Sequence, residues 1–200
     1  PFEKGERFND ITTDPKGRIY AGTKKENLKD GKLYLFENGK QPEVVLDGIG
    51  ISNGMTFSLD HKFFYHTDSI ICTITRYDYD KTTGQISNPE IFYKGEPDIG
   101  FPDGITLDAE GYLWVAFWGA SCVRRISRIG EIVEEIKVPA LQPSSLMFGG
   151  DNLQSLFITS ACEGGADIQK GLDENGNFLG GHVYQTQLNI KGRREWSAYI

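Results

Sequence analysis

Two polar-glycine pairs hold the side chains best suited to chemistry in this sequence: Asn53-Gly54, inside Ile51-Ser52-Asn53-Gly54-Met55, and Asp103-Gly104, inside Phe101-Pro102-Asp103-Gly104-Ile105. An Asn carbonyl and an Asp carboxylate are hard oxygen donors, suited to a cation such as Ca²⁺, Mg²⁺ or Mn²⁺. No Cys or His pair stands at the same positions, which argues against a zinc-type site. Taken singly, Asn-Gly and Asp-Gly are ordinary turn dipeptides. Their place in a repeat sets these two apart. The hairpin reversal inside each copy has its own acidic residue, at Asp14, Asp60 and Asp108, so the opening Asn or Asp is not needed for that turn.

The elements that must position them follow from the repeat. After Gly54 an apolar alternation runs to the turn Ser58-Leu59-Asp60-His61-Lys62 and a second strand, Phe63 to Asp68. After Gly104 the same order gives the turn Leu107 to Gly111 and the strand Tyr112 to Ala116. Further copies open at Asn9 and, in divergent form, at Ser144. The four openings are 44, 50 and 41 residues apart, which fits the ~40–50 residues of a four-stranded propeller blade. The apolar residues alternate two apart between Gly, Asp and Asn turn signals, whereas a helical repeat needs spacings of three and four. The expected fold is an all-β propeller, with about four and a half blades in this chain, read as one domain over residues 1–200. In such a fold the first strand of each blade lines the central channel, so Asn9, Asn53, Asp103 and Ser144 are expected to converge.

Composition agrees. Twenty-four glycines and an aromatic content of 12% describe short strands and tight turns. The formal charge of −7 repels phosphate backbones, so no nucleic-acid partner is expected. Cys72, Cys122 and Cys162 are odd in number and form no CxxC, no apolar run is long enough to span a membrane, and no Asn-x-Ser/Thr sequon occurs. These features favour a cytoplasmic protein with no membrane partner. The chain opens Pro1-Phe2-Glu3 close to a blade opening, and the expectation is a fragment or processed form lacking an N-terminal portion.

Several strings in order carry a resemblance. They are Arg7-Phe8-Asn9-Asp10 with Asp14-Pro15-x-Gly17-Arg18 and Ala21-Gly22-Thr23, Ile51-Ser52-Asn53-Gly54 with Ser58-Leu59-Asp60, and Pro102-Asp103-Gly104 with Gly111-x-Leu113-Trp114-Val115-Ala116. Phe148-Gly149-Gly150, Thr159-Ser160-Ala161 and Gly180 to Tyr184 complete the set. Together they resemble the SMP-30/gluconolactonase/regucalcin family over nearly the whole chain. The resemblance implies a six-bladed propeller that holds one divalent cation (Ca²⁺, Mg²⁺, Mn²⁺ or Zn²⁺, with Ca²⁺ or Mg²⁺ favoured) and hydrolyses sugar lactones or related esters. Carried over by position, it implies Asn53 and Asp103 as cation ligands, Asp103 as the catalytic residue, and Arg7 and Asn9 as substrate contacts. Glu26 lies near a further substrate-contacting position. The family's third ligand, a Glu in the first blade, falls in a region this sequence does not include, and completing six blades would take about 70–100 more residues on the N-terminal side.

The implied mechanism has Asp103 take a proton from the attacking water while Arg7 holds substrate hydroxyls or a carboxylate through its planar fork and Asn9 donates or accepts beside it. Without the resemblance, Arg7 reads equally well as a surface salt bridge to Glu3 or Glu6. A non-catalytic calcium-binding or interaction propeller, and a metal-dependent esterase or phosphotriesterase, are the alternatives. His61 and His182 read as solvated residues, His66 as a satisfied core histidine, Trp114 and Trp118 as packing between blades, and the cysteines as buried small hydrophobes. Asp173-x-Asn175-x-Asn177 lacks the glycine and closing Glu positions of a calcium loop and reads as a turn in the Gly-rich stretch from Gly164 to Gly181.

Overall fold

The computed structural model describes residues 3–162 and 175–199. They form fifteen strands and a single 3₁₀ turn, Pro97–Ile99. The strands group into four antiparallel meanders, the sheet unit of a propeller blade. The first contains β1 Arg7–Thr13, β2 Ile19–Lys24, β3 Gly31–Phe36 and β4 Glu43–Ile49. The second contains β5 Ser52–Phe57, β6 Phe63–Asp68, β7 Thr73–Tyr79 and β8 Ile86–Lys94. The third contains β9 Phe101–Leu107, β10 Leu113–Trp118, β11 Cys122–Ile126 and β12 Ile132–Lys137, and the fourth β13 Gln142–Gly149, β14 Ser155–Ala161 and β15 Val183–Gln187. Every opening residue singled out by the repeat stands on the first strand of its sheet. No helix among the described residues is long and apolar enough to cross a membrane.

The chain divides into two compact units: residues 1–94 with 194–200, and residues 95–193. In the first, Tyr20, Leu33, Met55, Phe57 and Phe64 fill the space between the first two sheets, with Phe57 against Phe64 at 5.0 Å and against Tyr79 at 4.6 Å between ring centres. The C-terminal segment returns to this unit: Trp196 sets an edge on Phe57, and the Tyr199 amide donates to the Gly17 carbonyl at 2.8 Å. In the second unit Trp114, Val123, Leu146, Phe148 and Leu156 pack the third sheet on the fourth. Trp114 therefore packs between blades as expected, with its edge on Phe148 at 6.1 Å.

The hairpin acids do more than turn the chain. Asp14 and Asp108 are completely buried. Asp14 accepts from the Lys16 and Arg18 amides at 2.8 and 3.0 Å, from Arg18 Nε at 2.6 Å and from the Tyr79 hydroxyl at 2.7 Å. Asp108 repeats this with the Glu110 and Tyr112 amides, both at 2.9 Å, Trp114 Nε1 at 3.1 Å and the Arg125 guanidinium at 2.8 Å. Each carboxylate thus fixes a tight turn and joins it to more distant strands. Gly17 and Gly111, both at positive φ, close these turns, and His61 takes the same left-handed conformation in the second sheet. There Asp60 is exposed and bonds only within its own turn. Burial separates two residues that the repeat makes equivalent. Asp14→Ala leaves a buried guanidinium unpaired and is expected to lower unfolding free energy by about 3–5 kcal/mol, against under ~1 kcal/mol for Asp60→Ala; urea denaturation of both variants checks the contrast.

Candidate functional site

A β-bulge interrupts the first hairpin of all four sheets at or directly after the opening residue. Phe8 pairs with Thr23 and Ile11 with Ala21, so Asn9 and Asp10 together face Gly22. Gly54 is the extra residue between the pairs Asn53–Thr67 and Met55–His66. Asp103 and Gly104 face Ala116, and Ser144 is extra between the pairs Pro143–Ser160 and Ser145–Thr159. A bulge leaves one residue out of the ladder and re-aims its side chain, which is why bulges gather beside functional sites. Pro102 and Pro143 stand just ahead of the bulge in the second unit, positions that suit a residue with no N–H to donate.

In the first unit the bulges bring Asn9 and Asn53 together. Asn9 Nδ2 donates to the Ser52 carbonyl at 3.0 Å and to Asn53 Oδ1 at 3.1 Å, and Asn53 Nδ2 donates to Ser69 Oγ at 2.9 Å. These partners fix which end of each amide faces where. A carbonyl only accepts, so Asn9 must turn its nitrogen toward Ser52; the same nitrogen then requires an oxygen from Asn53. Both Asn9 N–H groups are engaged, leaving its oxygen to accept from a ligand. The expectation that Asn9 donates or accepts narrows to acceptance. Asn53 is 8% exposed, and its oxygen keeps a second lone pair. Close approach of β2 and β5 underlies this arrangement: a Cβ on Gly22 would lie 2.0 Å from Ser52 Oγ.

Around this pair lie groups that the repeat did not mark. Ser52 Oγ and His66 Nε2 are 2.7 Å apart, and His66 is 3% exposed. It is the satisfied core histidine expected, and burial depresses its pKa to about 4. Asp68 accepts from the Gly50, Ile51 and Ile70 amides at 2.9, 3.2 and 3.1 Å and so anchors the chain entering β5. Asp10, half-buried beside Asn9, accepts from the Ile11 amide at 2.7 Å, and desolvation raises its pKa. Register offered one signal for Ser69: it lies just past the end of β6, two residues after Thr67, the ladder partner of Asn53.

Arg7 is exposed at the start of β1. Its hydrogen bond runs from Nη1 to the Phe8 carbonyl at 3.3 Å. The salt bridge to Glu3 or Glu6 does not form. Glu3 instead holds Lys25 and Lys32, whose hydrogen bonds pull its carboxyl down to about 2, and Glu6 accepts from the Thr23 and Tyr34 hydroxyls. Glu26 is exposed in the β2–β3 connection.

In the second unit Asp103 is half-buried on β9, at its bulge. A Cβ on Gly104 would lie 2.5 Å from Ser145 Oγ, so this glycine allows the same close strand approach as Gly22. Ser144 shares a hydrogen bond with Thr159 Oγ1 at 2.9 Å. Cys72 and Cys122 are buried, the latter with its thiol pushed up to about 11 by burial, but Cys162 is exposed, against expectation. His182 is exposed and meets the Phe178 carbonyl at 2.9 Å. Asp173, with most of the Gly164–Gly181 stretch, lies outside the described residues.

Each unit by itself presents hard donors at its bulge, an amide oxygen from Asn53 in the first and a carboxylate from Asp103 in the second. Among the described residues no group of three or more His, Cys, Asp and Glu side chains is gathered as a metal cage.

Residues 2–162 match the SMP-30/Gluconolactonase/LRE-like region, and the chain belongs to that family. Pentonolactonase XacC of Haloferax volcanii is 34% identical over 194 residues, covering 97% of this chain and 67% of that protein. Human regucalcin is 36% identical over 207 residues, covering 98% and 67%. The structure of a regucalcin from Agrobacterium tumefaciens, described as a calcium-binding protein, superposes with a TM-score of 0.89 at 29% identity, over 98% of this chain and 66% of that one. The chain thus spans about two thirds of the length of these relatives.

His66 generates a pH test. Its depressed folded pKa means that the unfolded chain binds more protons between its ordinary value of 6.5 and about 4. Stability is therefore complete above pH 6.5 and falls through that window as the pH drops, by up to about 3 kcal/mol. Unfolding curves from pH 7.5 to 4 should show this slope in the parent chain and a flatter one in His66→Gln; equal slopes would remove His66 as the cause.

Proposed function

We propose that this chain carries the substrate- and cation-binding residues of a lactonase, which hydrolyses the internal ester of a sugar lactone with the help of a divalent cation. Family membership and the name of the pentonolactonase relative support the reaction class. The oriented Asn9–Asn53 amide pair at the repeated bulge is the observation that carries the site, because it holds two oxygen atoms in fixed orientation, Asn9 Oδ1 and the second lone pair of Asn53 Oδ1, for a ligand.

The roles divide by chemistry. Asn53 and Asp103 are the cation ligands this chain supplies, and Ca²⁺ or Mg²⁺ suits their oxygen donors. The calcium-binding description of the Agrobacterium regucalcin supports the same choice. A bound divalent cation would supply Lewis-acid polarisation of the lactone carbonyl. Asp103 accepts the proton of the attacking water as general base. Asn9 accepts a hydrogen bond from a substrate hydroxyl through Oδ1, the one amide atom its neighbours leave open. Arg7 holds substrate oxygens with its planar donor fork, available because it has no ion-pair partner among the described residues.

Asp103→Asn keeps the size of the side chain and removes the base. Lactone hydrolysis, followed by proton release, should fall by about 10²-fold or more, in line with the contribution of a positioned base, with an unchanged far-UV circular dichroism spectrum. Chelation should silence the parent chain and Ca²⁺ or Mg²⁺ should restore it. Full activity in Asp103→Asn, or in excess chelator, would sink the corresponding role.

A further inference from the structure

Arg7 and Lys24 are direct partners in the β1–β2 ladder. Partners of this kind project to the same side of a sheet with Cβ atoms about 4.5–5.5 Å apart, and like charges there repel. Here neither cation forms an ion pair among the described residues, although ten ion pairs form elsewhere in them. Nearby acids bond elsewhere: Glu3 pairs with Lys25 and Lys32, Glu6 accepts from the Thr23 and Tyr34 hydroxyls, Asp10 from the Ile11 amide and Asp68 from three backbone amides, while Glu26 is exposed and forms no ion pair among the described residues.

Their location gives the pair a use. Arg7 stands two residues before Asn9, and Lys24 also bridges through its backbone to Ile51, directly ahead of Ser52 and Asn53. Two cations without an ion-pair partner among the described residues therefore flank the strand ends that carry the oriented amides. We propose that Arg7 and Lys24 form a clamp for an anionic substituent, a carboxylate or a phosphate, on the lactone, with Lys24 setting the preference for charged over neutral substrates. The clamp rests on the lactonase assignment above and adds the class of substrate. Arg7 supplies a planar fork for two oxygens of the anion and Lys24 a compact charge beside it. The repulsion built into the ladder is relieved when the anion binds, so charge complementarity is realised in the complex.

The test compares three substrates on the whole chain with Mg²⁺: glucono-δ-lactone, a hexaric acid monolactone and 6-phosphogluconolactone. At least one anionic lactone should exceed the neutral one in kcat/KM, the better of the two identifying carboxylate or phosphate. In Lys24→Met that ratio should drop by about tenfold or more, the loss expected for one charge-assisted contact. Lys24→Arg should restore most of it, Lys40→Met should leave it alone, and added salt should shrink it. The melting temperature of Lys24→Met should hold or rise, since the substitution removes a repulsion. A ratio unmoved by Lys24→Met overturns the clamp while leaving the lactonase assignment standing. Should no lactone be hydrolysed, that assignment falls, and calorimetry with glucarate and 6-phosphogluconate decides the clamp separately. Binding weakened about tenfold or more by Lys24→Met upholds it, and absence of binding to the parent chain overturns it.

Discussion

Asn9 meets Asn53 where β2 and β5 lie so close that a Cβ on Gly22 would be 2.0 Å from Ser52 Oγ. That steric constraint places the Ser52 carbonyl within reach of Asn9, and the carbonyl in turn decides the orientation of both amides. The bulge at Asn9-Asp10 takes Asn9 out of the ladder, and the bulge at Gly54 follows directly on Asn53, which still pairs with Thr67. Loss of the close approach would leave two unaligned amides, free to rotate and with no fixed oxygen to present. The second unit repeats the constraint with Gly104 against Ser145, on the strand that carries Asp103. Small residues here serve proximity, and turn geometry is a separate task carried by Gly17 and Gly111.

Rigidity of the surrounding hairpins comes from a different device. Asp14 and Asp108 each collect two backbone amides, an arginine and an aromatic donor, so the turn, the neighbouring strand and the core are fixed by one buried carboxylate. A carboxylate satisfied on both oxygens is an inert structural anion. This separates the acids that build the fold from Asp103, which the repeat places at the bulge instead of in the turn. The second sheet manages without such an anchor: Phe57, Phe64 and Tyr79 pack there in its place.

Much of this was legible in the chain. Period-two alternation between Gly and Asp turns gave the meanders, and the spacing of Asn9, Asn53, Asp103 and Ser144 gave their first strands. What spacing could not give was anything decided by distant partners. Asp14 and Asp60 occupy equivalent positions, yet one is buried because Tyr79, sixty-five residues along the chain, reaches back to it. Nor could it reveal that Ser52 pairs with His66, or that the Asn9 nitrogen is fully engaged, since both depend on atoms brought together across a hairpin or between sheets. The candidate salt bridge of Arg7 failed for a related reason. Lys25 and Lys32 hold Glu3 together, and a carboxylate with two lysine partners has little to offer a third cation.

The distribution of charge in the candidate residues follows from these partners. At position 9 a carboxylate would face the Ser52 carbonyl and the Asn53 oxygen with no proton to offer either, so only an amide serves there. At position 53 the side chain must both accept from Asn9 and donate to Ser69, which again selects an amide. Position 103, at the bulge of β9, carries an acid instead. Beside these neutral amides Arg7 and Lys24 face each other across the β1–β2 ladder with no ion-pair partner among the described residues.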